Sequence, residues 1–312
     1  MVNPSTSSVN NDAQQGGGAA IVVAVDGSEA SNVAVQWAAN AALKRGDSLK
    51  LVCAYNMPQF MYADGMVPPQ ELYDELEGEA KDKIATARKI VSDFSPEIQV
   101  EDEVREAAPI DYLLDLSQTS QMIVMGSRGL GGLSGLVMGS VSAAVVSHAE
   151  CPVVVVRKEN NVTEENKYGP VVVGVDGSEI SRQAMAMAFQ EANARGALLR
   201  AVHAWSDAQF HSTYIGLAES QSQWEQLAES EQDLLSEELK ALREQYPDVE
   251  VEELVARDRP IHALKEAAED AQLMVLGSHG RGGFKGMLLG STSRALLQYA
   301  PCPMMVVRPR HS

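Results

Sequence analysis

Cysteine, basic side chains and long apolar runs are all scarce in this sequence. Its three cysteines among 312 residues do not make an even-numbered disulfide framework, which favours a reducing compartment, the cytoplasm. No apolar run approaches the ~20 residues that span a bilayer, and residues 1–20 lack the basic start and apolar segment of a secretory signal. We therefore expect a cytoplasmic chain without a membrane span.

Basic residues are outnumbered, since 25 lysines and arginines face 43 acidic residues and the formal net charge is −18. Nucleic-acid binding needs basic surface to displace counterions, so this balance argues against a general nucleic-acid-binding function. The same charge repels anionic ligands at long range. Any anion site must therefore depend on local backbone dipoles and a few nearby cations.

Common catalytic and metal-binding signatures are missing as well. The sequence has no Walker-type Gly-Lys-Ser/Thr, no Gly-x-Ser-x-Gly elbow and no His-Glu-x-x-His helix. Its six histidines share no metal-ligand spacing, so a zinc site is not expected. His203, which falls in a predicted strand, is expected to be a core residue.

What the sequence contains is a duplication at an offset of 150–151 residues. Residues 22–29 (VVAVDGSE) recur as 172–179 (VVGVDGSE), and Cys151-Pro152-Val153 recurs as Cys302-Pro303-Met304. A period this long indicates duplicated domains, because solenoid repeats run to ~20–50 residues. Burial is the favoured interpretation of the two matched cysteines, and a redox pair is the alternative. We predict a disordered leader over 1–19, a first repeat over 20–157, a linker over 158–169 and a second repeat over 170–308.

Strand-like and helix-like patterns alternate within each repeat. This alternation predicts a doubly wound α/β fold with five parallel strands per repeat. Ligands of such sheets bind beyond the carboxyl ends of the strands, at the topological switch point. Asp26 ends the first predicted strand and Gly126 ends the fourth, so both would meet in one crevice if those strands are neighbours. In the first repeat we predict strands over 21–25, 49–55, 98–104, 122–125 and 153–157, and helices over 28–46, 71–94, 110–119 and 141–148.

A glycine pattern follows the fourth strand of each repeat. Gly126-Ser127-Arg128-Gly129 is followed, after nine intervening residues, by Gly139-Ser140, and Gly277-Ser278-His279-Gly280 is followed at the same spacing by Gly290-Ser291. A strand, a glycine loop and a helix start place several backbone N–H groups around one concavity, where the helix dipole favours negative charge. Phosphate is the predicted ligand.

Structural alternatives exist for each part of this pattern. The glycine loop could serve only tight packing between strand and helix, and Ser140 could be a helix cap. Asp26-Gly27-Ser28 could be a simple strand-to-helix turn that ends in an N-cap.

With these motifs the chain resembles the universal stress protein family in its tandem, actinobacterial form. The resemblance is carried by the Val-Asp-Gly-Ser strand end, the Gly-x2-Gly-x9-Gly-Ser/Thr loop and the Cys-Pro-Val-Val-Val-Val closing strand. It implies a five-stranded, Rossmann-like parallel sheet in each repeat and membership of the ATP-binding subclass. Links to stress and dormancy are implied as well.

The resemblance also implies two nucleotide sites. Asp26 and Asp176 would lie near the ribose or a phosphate-bound Mg²⁺, the backbone of Ala54 or Ala204 would bind the adenine edge, and Arg128 and Arg281 would be the local cations. In the first repeat the implied contacts are Ala24, Asp26, Ala54, Gly126, Ser127, Arg128, Gly129, Leu130, Gly131, Gly132, Gly139, Ser140, Val141 and Ser142. In the second they are Gly174, Asp176, Ala204, Gly277, Ser278, His279, Gly280, Arg281, Gly282, Gly283, Gly290, Ser291, Thr292 and Ser293.

Three kinds of function are compatible with these features. The first is a regulator whose ATP-bound state is recognised by an unidentified protein partner. The second is a slow ATPase, although no residue of the motif is suited to orient an attacking water. The third is an interaction scaffold in which nucleotide is incidental, and cyclic AMP is a rival ligand for the same crevice. We expect turnover, if any, to stay below ~1 s⁻¹.

The last strand of each repeat predicts assembly. Val153–Val156 and Met304–Val307 are apolar runs at a sheet edge, where unpaired backbone groups are a liability. We predict that the two repeats pair through these strands, as the resemblance also implies, and that two chains associate as a homodimer.

Overall fold

The computed structural model describes residues 19–56, 69–129, 138–160, 168–205, 221–281 and 288–309, without the side chains of 221–225. The predicted leader therefore lies almost wholly outside the described residues, as does most of the predicted linker. Among the described residues, no helix is both long and apolar enough to cross a membrane.

Strands and helices alternate along both repeats, as the sequence predicts. The first repeat contains β1 (Ile21–Ala24), α1 (Glu29–Arg45), β2 (Leu49–Tyr55), α2 (Gln70–Phe94), β3 (Val100–Glu106), α3 (Pro109–Ser117), β4 (Met122–Gly126), α4 (Ser140–His148) and β5 (Val153–Val156). The second contains β6 (Val171–Gly174), α5 (Glu179–Arg195), β7 (Leu199–Trp205), α6 (Gln221–Gln245), β8 (Val251–Arg257), α7 (Pro260–Ala267), β9 (Leu273–Gly277), α8 (Ser291–Tyr299) and β10 (Met304–Val307).

The strands form one sheet in the order β3-β2-β1-β4-β5-β10-β9-β6-β7-β8. Within each repeat all neighbouring strands are parallel, which confirms the predicted fold class. Strand β1 pairs with both β2 and β4, and Ala24 is level with Met125 of β4. The order therefore reverses between β1 and β4, and the two motifs of the first repeat end at one crevice, as expected.

Strands β5 and β10 pair antiparallel, with Met305 opposite Val154. The predicted pairing of the repeats through their last strands is confirmed, and it occurs within one chain. Because all strands of one repeat run opposite to those of the other, the carboxyl ends of the two parallel sheets lie at opposite ends of the molecule.

Helices cover both faces of the sheet. One face packs against α1, α2, α5 and α6, and its core continues across both repeats. The other packs against α3, α4, α7 and α8. The strands are rich in valine because both of their faces are buried, as is usual in parallel sheets.

A buried ion cluster joins α1 of the first repeat to α5 of the second. The carboxylate of Glu191 is fully buried and pairs with Arg45 and with Arg195, whose Nε lies 3.0 Å from Glu191 Oε2. The Arg195 guanidinium also lies over the ring of Trp37, 5.1 Å from its centroid. Charges from both repeats are thus neutralised together at the interface.

Two sequence-based expectations need correction here. Strand β3 runs from Val100 to Glu106, so it begins and ends two residues later than the predicted 98–104, because its pairing with β2 sets its limits. This edge strand is too rich in charge for an apolar pattern to mark its ends. The remaining predicted boundaries in the first repeat differ from the observed ones by two residues or fewer.

The redox-pair alternative for the cysteines is wrong. Cys151 precedes β5, Cys302 precedes β10, and the antiparallel register sets Val153 opposite Val306. Cys151 is therefore level with residue 308 and far along the paired strands from Cys302. Both are buried and neither forms a disulfide, as the favoured interpretation expects.

Candidate functional site

The Asp-Gly-Ser segment forms a tight turn between the first strand and first helix of each repeat. Gly27 adopts a left-handed backbone conformation with φ of 82°, which costs glycine little. Ser28 is the N-cap of α1, and its Oγ accepts a hydrogen bond from Ser31 N at 3.1 Å. Asp26 Oδ1 accepts from Ser28 N at 2.9 Å. The capped-turn alternative is thus correct, and the same turn holds the Asp26 carboxylate at the crevice.

The second repeat has the same turn. Gly177 has φ of 73°, Ser178 caps α5, and Asp176 Oδ1 accepts from Ser178 N at 3.0 Å. The two carboxylates therefore occupy equivalent positions.

The glycine loops close on these carboxylates. Asp176 Oδ2 accepts a hydrogen bond from Arg281 N at 2.9 Å, and a Cβ on Gly280 would overlap the same oxygen. A Cβ on Gly129 would lie 2.5 Å from Asp26 Oδ2. Asp176 therefore positions its loop, and in both repeats a glycine allows the loop to approach the carboxylate closely.

Each loop leads into the start of a helix. The N-caps of α4 and α8 are Gly139 and Gly290. Because glycine has no side chain, neither residue can cap the N–H groups of its helix. The interpretation of Ser140 as the cap is wrong, because the helix already begins at Ser140. Since the first N–H groups of a helix have no intrahelical acceptor, those of residues 140–142 and 291–293 are available to a ligand.

Serine side chains anchor the loops to these helices. Ser142 Oγ donates to the carbonyl of Gly126 at 2.8 Å, and Ser293 Oγ donates to that of Gly277 at 2.7 Å. Ser127 and Ser278 are buried, and their N–H groups bond the ends of β5 and β10. Ser127 and Ser278 thus fix the base of the loop.

In the second repeat these elements enclose a cavity of about 310 Å³, within the roughly 300–1,000 Å³ range of small-molecule sites. Of the predicted contacts of this repeat, Gly174, Asp176, Ala204, Gly277, His279, Gly280, Arg281, Gly290, Ser291, Thr292 and Ser293 line it. Val202, Pro260, Leu264 and Leu276 form an apolar wall. One cavity thus combines backbone donors with an apolar surface.

The predicted base-binding positions lie at the open ends of the second strands. Strand β2 continues to Tyr55, beyond Val52, the last residue that pairs with β1, so Ala54 borders the crevice. Ala204 holds the same position in β7. The small residues at the ends of the first strands, Ala24 and Gly174, differ in their surroundings. Ala24 is half-buried. A Cβ on Gly174 would meet Leu276 and Leu264, so this glycine leaves room for the packing of those two side chains.

Some predicted contacts contribute in other ways or fall outside the described residues. Arg128 is half-buried, and its carbonyl accepts from Ser28 Oγ at 3.2 Å. Val141 follows the first residue of α4. The predicted contacts outside the described part of the chain are Leu130, Gly131, Gly132, Gly282 and Gly283.

Sequence reasoning missed two features beside the sites. The carbon chain of Lys83, on α2, crosses Gly27. His203 is buried, as expected, but its Nδ1 lies 2.8 Å from the carbonyl of Val175 and its Nε2 lies 2.8 Å from Glu231 Oε2. It ties α6 to the end of β6 and lines the cavity. The sequence places Cys53 at the equivalent position of the first repeat, which favours a core position for His203 but does not reveal its contact with Glu231.

In the part that the structure describes, the candidate site has too few ligand side chains to bind a metal ion without a nucleotide. Within the described residues, no group of three or more histidine, cysteine or acidic side chains could hold a metal ion. Magnesium commonly uses one or two carboxylates together with substrate phosphates. Asp26 and Asp176 would suit that arrangement only with a nucleotide present.

A different cavity, of about 420 Å³, lies at the opposite ends of the strands in the first repeat. Its charged lining residues are Asp47 and Glu97, which disfavour an anion. The cavity at the switch point is therefore the candidate site.

Comparison with known proteins agrees with this geometry. Residues 19–157 and 167–308 each match the Universal stress protein family. A universal stress protein of Mycolicibacterium smegmatis is 39% identical over 296 residues, covering 93% of this chain and 97% of that protein. One of Mycobacterium tuberculosis is also 39% identical, covering 92% of this chain and 96% of that protein.

Two solved structures have an architecture similar to that of this chain. A universal stress protein from Archaeoglobus fulgidus has a TM-score of 0.68 at 19% identity, covering 94% of this chain and 98% of that chain. A putative universal stress protein from Pseudomonas aeruginosa has a TM-score of 0.55 at 14% identity, covering 94% of each chain. At these identities the two structures support the fold alone. With the family matched in both repeats, this chain belongs to the universal stress protein family, in tandem two-domain form.

Proposed function

We propose that each repeat binds one ATP molecule and that occupancy of these sites regulates a protein partner during stress or dormancy. The observation that carries the proposal is the cavity of about 310 Å³ at the switch point of the second repeat. It brings a helix start, a glycine loop and an apolar wall together, which suits a ligand with an anionic and an apolar end.

The ligand's parts would occupy different sides of the cavity. The polyphosphate would meet the N–H groups at the start of α8, where the helix dipole is favourable. The ribose would lie by Asp176, and the base would pack on Leu264 and Leu276, beside the backbone of Ala204. Short-range donors of this kind offset the repulsion expected from the net charge of −18.

Regulation rather than catalysis follows from the role of the aspartates. Both carboxylate oxygens of Asp176 already accept backbone N–H groups, which suits a positioning residue better than a general base. ATP would then stabilise one conformation for a partner to recognise. Weak hydrolysis and incidental binding are the competing possibilities.

Two measurements on the unmodified chain test this proposal. Mass spectrometry of ligand released from the purified protein should find ATP, and saturating ATP should raise the melting temperature. At ~100 times its dissociation constant, one ligand adds ~2.7 kcal/mol of stability, so binding would be easy to detect. Cyclic AMP should compete poorly, because the long glycine loop offers most to a polyphosphate. If no nucleotide is released and ATP does not raise the melting temperature, the interaction scaffold is the better account of the function.

A further inference from the structure

A cationic side chain covers the glycine of the Asp-Gly-Ser turn in each repeat. In the first, a Cβ on Gly27 would lie 3.1 Å from Lys83 Cγ and 3.6 Å from Lys83 Cε. In the second, the guanidinium of Arg281 lies against Gly177 and would contact a Cβ there. The same surface is thus covered by a cation from α2 in one repeat and from the glycine loop in the other.

The position of the cation differs between the repeats, on the helix in the first and in the glycine loop in the second. Helices α2 and α6 each span 25 residues, and buried Ile84 matches buried Leu235, which aligns Lys83 with Leu234. At the loop position, Arg281 corresponds to Leu130 in the sequence. At these two positions, each repeat therefore has one cation and one leucine, and the two residue types are interchanged between the repeats.

The surroundings of Lys83 leave its charge available to a ligand. Its Nζ lies 4.0 Å from Glu79 Oε2, a long ion pair, and its side chain is 31% exposed. Burial raises the pKa of the neighbouring Cys53 thiol, the positive charge of Lys83 opposes that rise, and Asp26 adds to it. The ammonium group and the carboxylate thus both act at the end of β2, where the crevice opens.

We propose that Lys83 is a phosphate-binding residue of the first nucleotide site, in the role that the family resemblance implies for Arg281 in the second. This inference rests on the proposed function. The lysine stem packs on the bare surface of Gly27, from which the ammonium group would reach the polyphosphate of a bound nucleotide.

The test measures ATP and adenosine affinity by calorimetry with one site active at a time. Gly280→Ala removes the second site, and Gly129→Ala removes the first. Lys83→Met keeps an unbranched stem without the charge. With the first site active, Lys83→Met should weaken ATP binding by about tenfold and leave adenosine binding unchanged. With only the second site active, it should change neither.

Two further variants serve as controls. Lys89→Met removes an exposed lysine of the same helix, paired with Asp93 at 3.0 Å, and should leave ATP affinity unchanged. Lys83→Arg should retain it. In the second site, Arg281→Leu should weaken ATP binding, and adding Leu234→Lys should restore it.

Some results would overturn the inference. A loss of less than twofold with Lys83→Met, an equal loss with Lys89→Met, or equal losses for ATP and adenosine would each refute a phosphate contact. Absence of ATP binding by the unsubstituted chain would refute the proposed function itself, and this inference with it.

Discussion

At the scale of single residues, the glycines beside the aspartates are the most sensitive positions of the site. A Cβ at residue 129 would lie 2.5 Å from Asp26 Oδ2, and one at residue 280 would overlap Asp176 Oδ2. We predict that Gly129→Ala and Gly280→Ala each halve the ATP bound per chain, because the carboxylate and loop must separate. Equilibrium dialysis with labelled ATP measures this stoichiometry.

The matched control is Gly78→Ala. Gly78 lies in α2 with open space where its Cβ would be, and alanine favours a helix interior by ~1 kcal/mol. This variant should keep the full ligand stoichiometry and gain stability. Full occupancy in the Gly129 and Gly280 variants would show that the loops do not form the sites.

Cysteine reactivity is the second property decided by single residues. Burial raises the pKa of the Cys302 thiol to about 12. Only the thiolate is nucleophilic, and this raised pKa keeps the thiol protonated until the pH approaches 12. We predict that iodoacetamide at pH 8 leaves Cys302 unmodified in the folded chain and modifies it in guanidinium, as measured by mass spectrometry. Rapid modification of the folded protein would contradict its burial.

At the scale of helices and strands, local pattern predicted most elements and the pairing of the two last strands, but not the register in which strands pair. Ser28 and Gly46 mark α1 in the sequence and do cap it. The edge strand β3 could not be delimited in this way, because its ends depend on the pairing of Val100 with Leu49 of β2. The separation of Cys151 from Cys302 likewise follows from an antiparallel register that neither repeat contains alone.

The pairing of β5 with β10 also limits further assembly. Both strands now have neighbours on each side, so the expected homodimer must use another surface. That dimer stays a prediction. The edge strands of the sheet that the described residues form, β3 and β8, carry acidic residues such as Glu101 and Glu252, which disfavour pairing between edges.

The contact between α1 and α5 gives a stability prediction for the interface. Glu191→Gln would leave Arg195, whose side chain is 2% exposed, without its buried counter-charge. Removing one partner of a buried ion pair is strongly destabilising, and we expect a loss of about 3 kcal/mol in the free energy of unfolding, measured by urea denaturation. Glu237→Gln, at a side chain 76% exposed, should change it by less than ~0.5 kcal/mol. Equal effects would mean that the buried cluster does not stabilise the interface.

At the scale of the whole molecule, the repeated motifs predicted where the candidate sites lie, because the order of a doubly wound sheet brings Asp26 and Gly126 together. The position of Lys83 could not be predicted from the pattern of α2. A lysine among acidic neighbours is typical of a solvated helix surface, and only the packing of α2 brings its carbon chain against the Gly27 turn. Single-sequence patterns omit such contacts between distant elements.

The antiparallel junction also predicts how the two sites behave together. Four strand spacings of roughly 4.8 Å separate the switch points sideways, about 19 Å, and the sites face opposite ends of the sheet. This exceeds the Debye length of about 8 Å at physiological ionic strength, so two bound polyphosphates should not repel each other measurably. We predict that ATP binds the two repeats independently.

Calorimetry on three chains tests this independence. Gly129→Ala reports the second site alone, and Gly280→Ala reports the first. The isotherm of the unsubstituted chain should equal the sum of those two, because neither occupied site alters the field or the packing at the other. Allosteric coupling typically changes affinity by about fivefold or more. A shift of that size would show that the shared sheet and the buried Glu191 cluster transmit occupancy from one end of the molecule to the other.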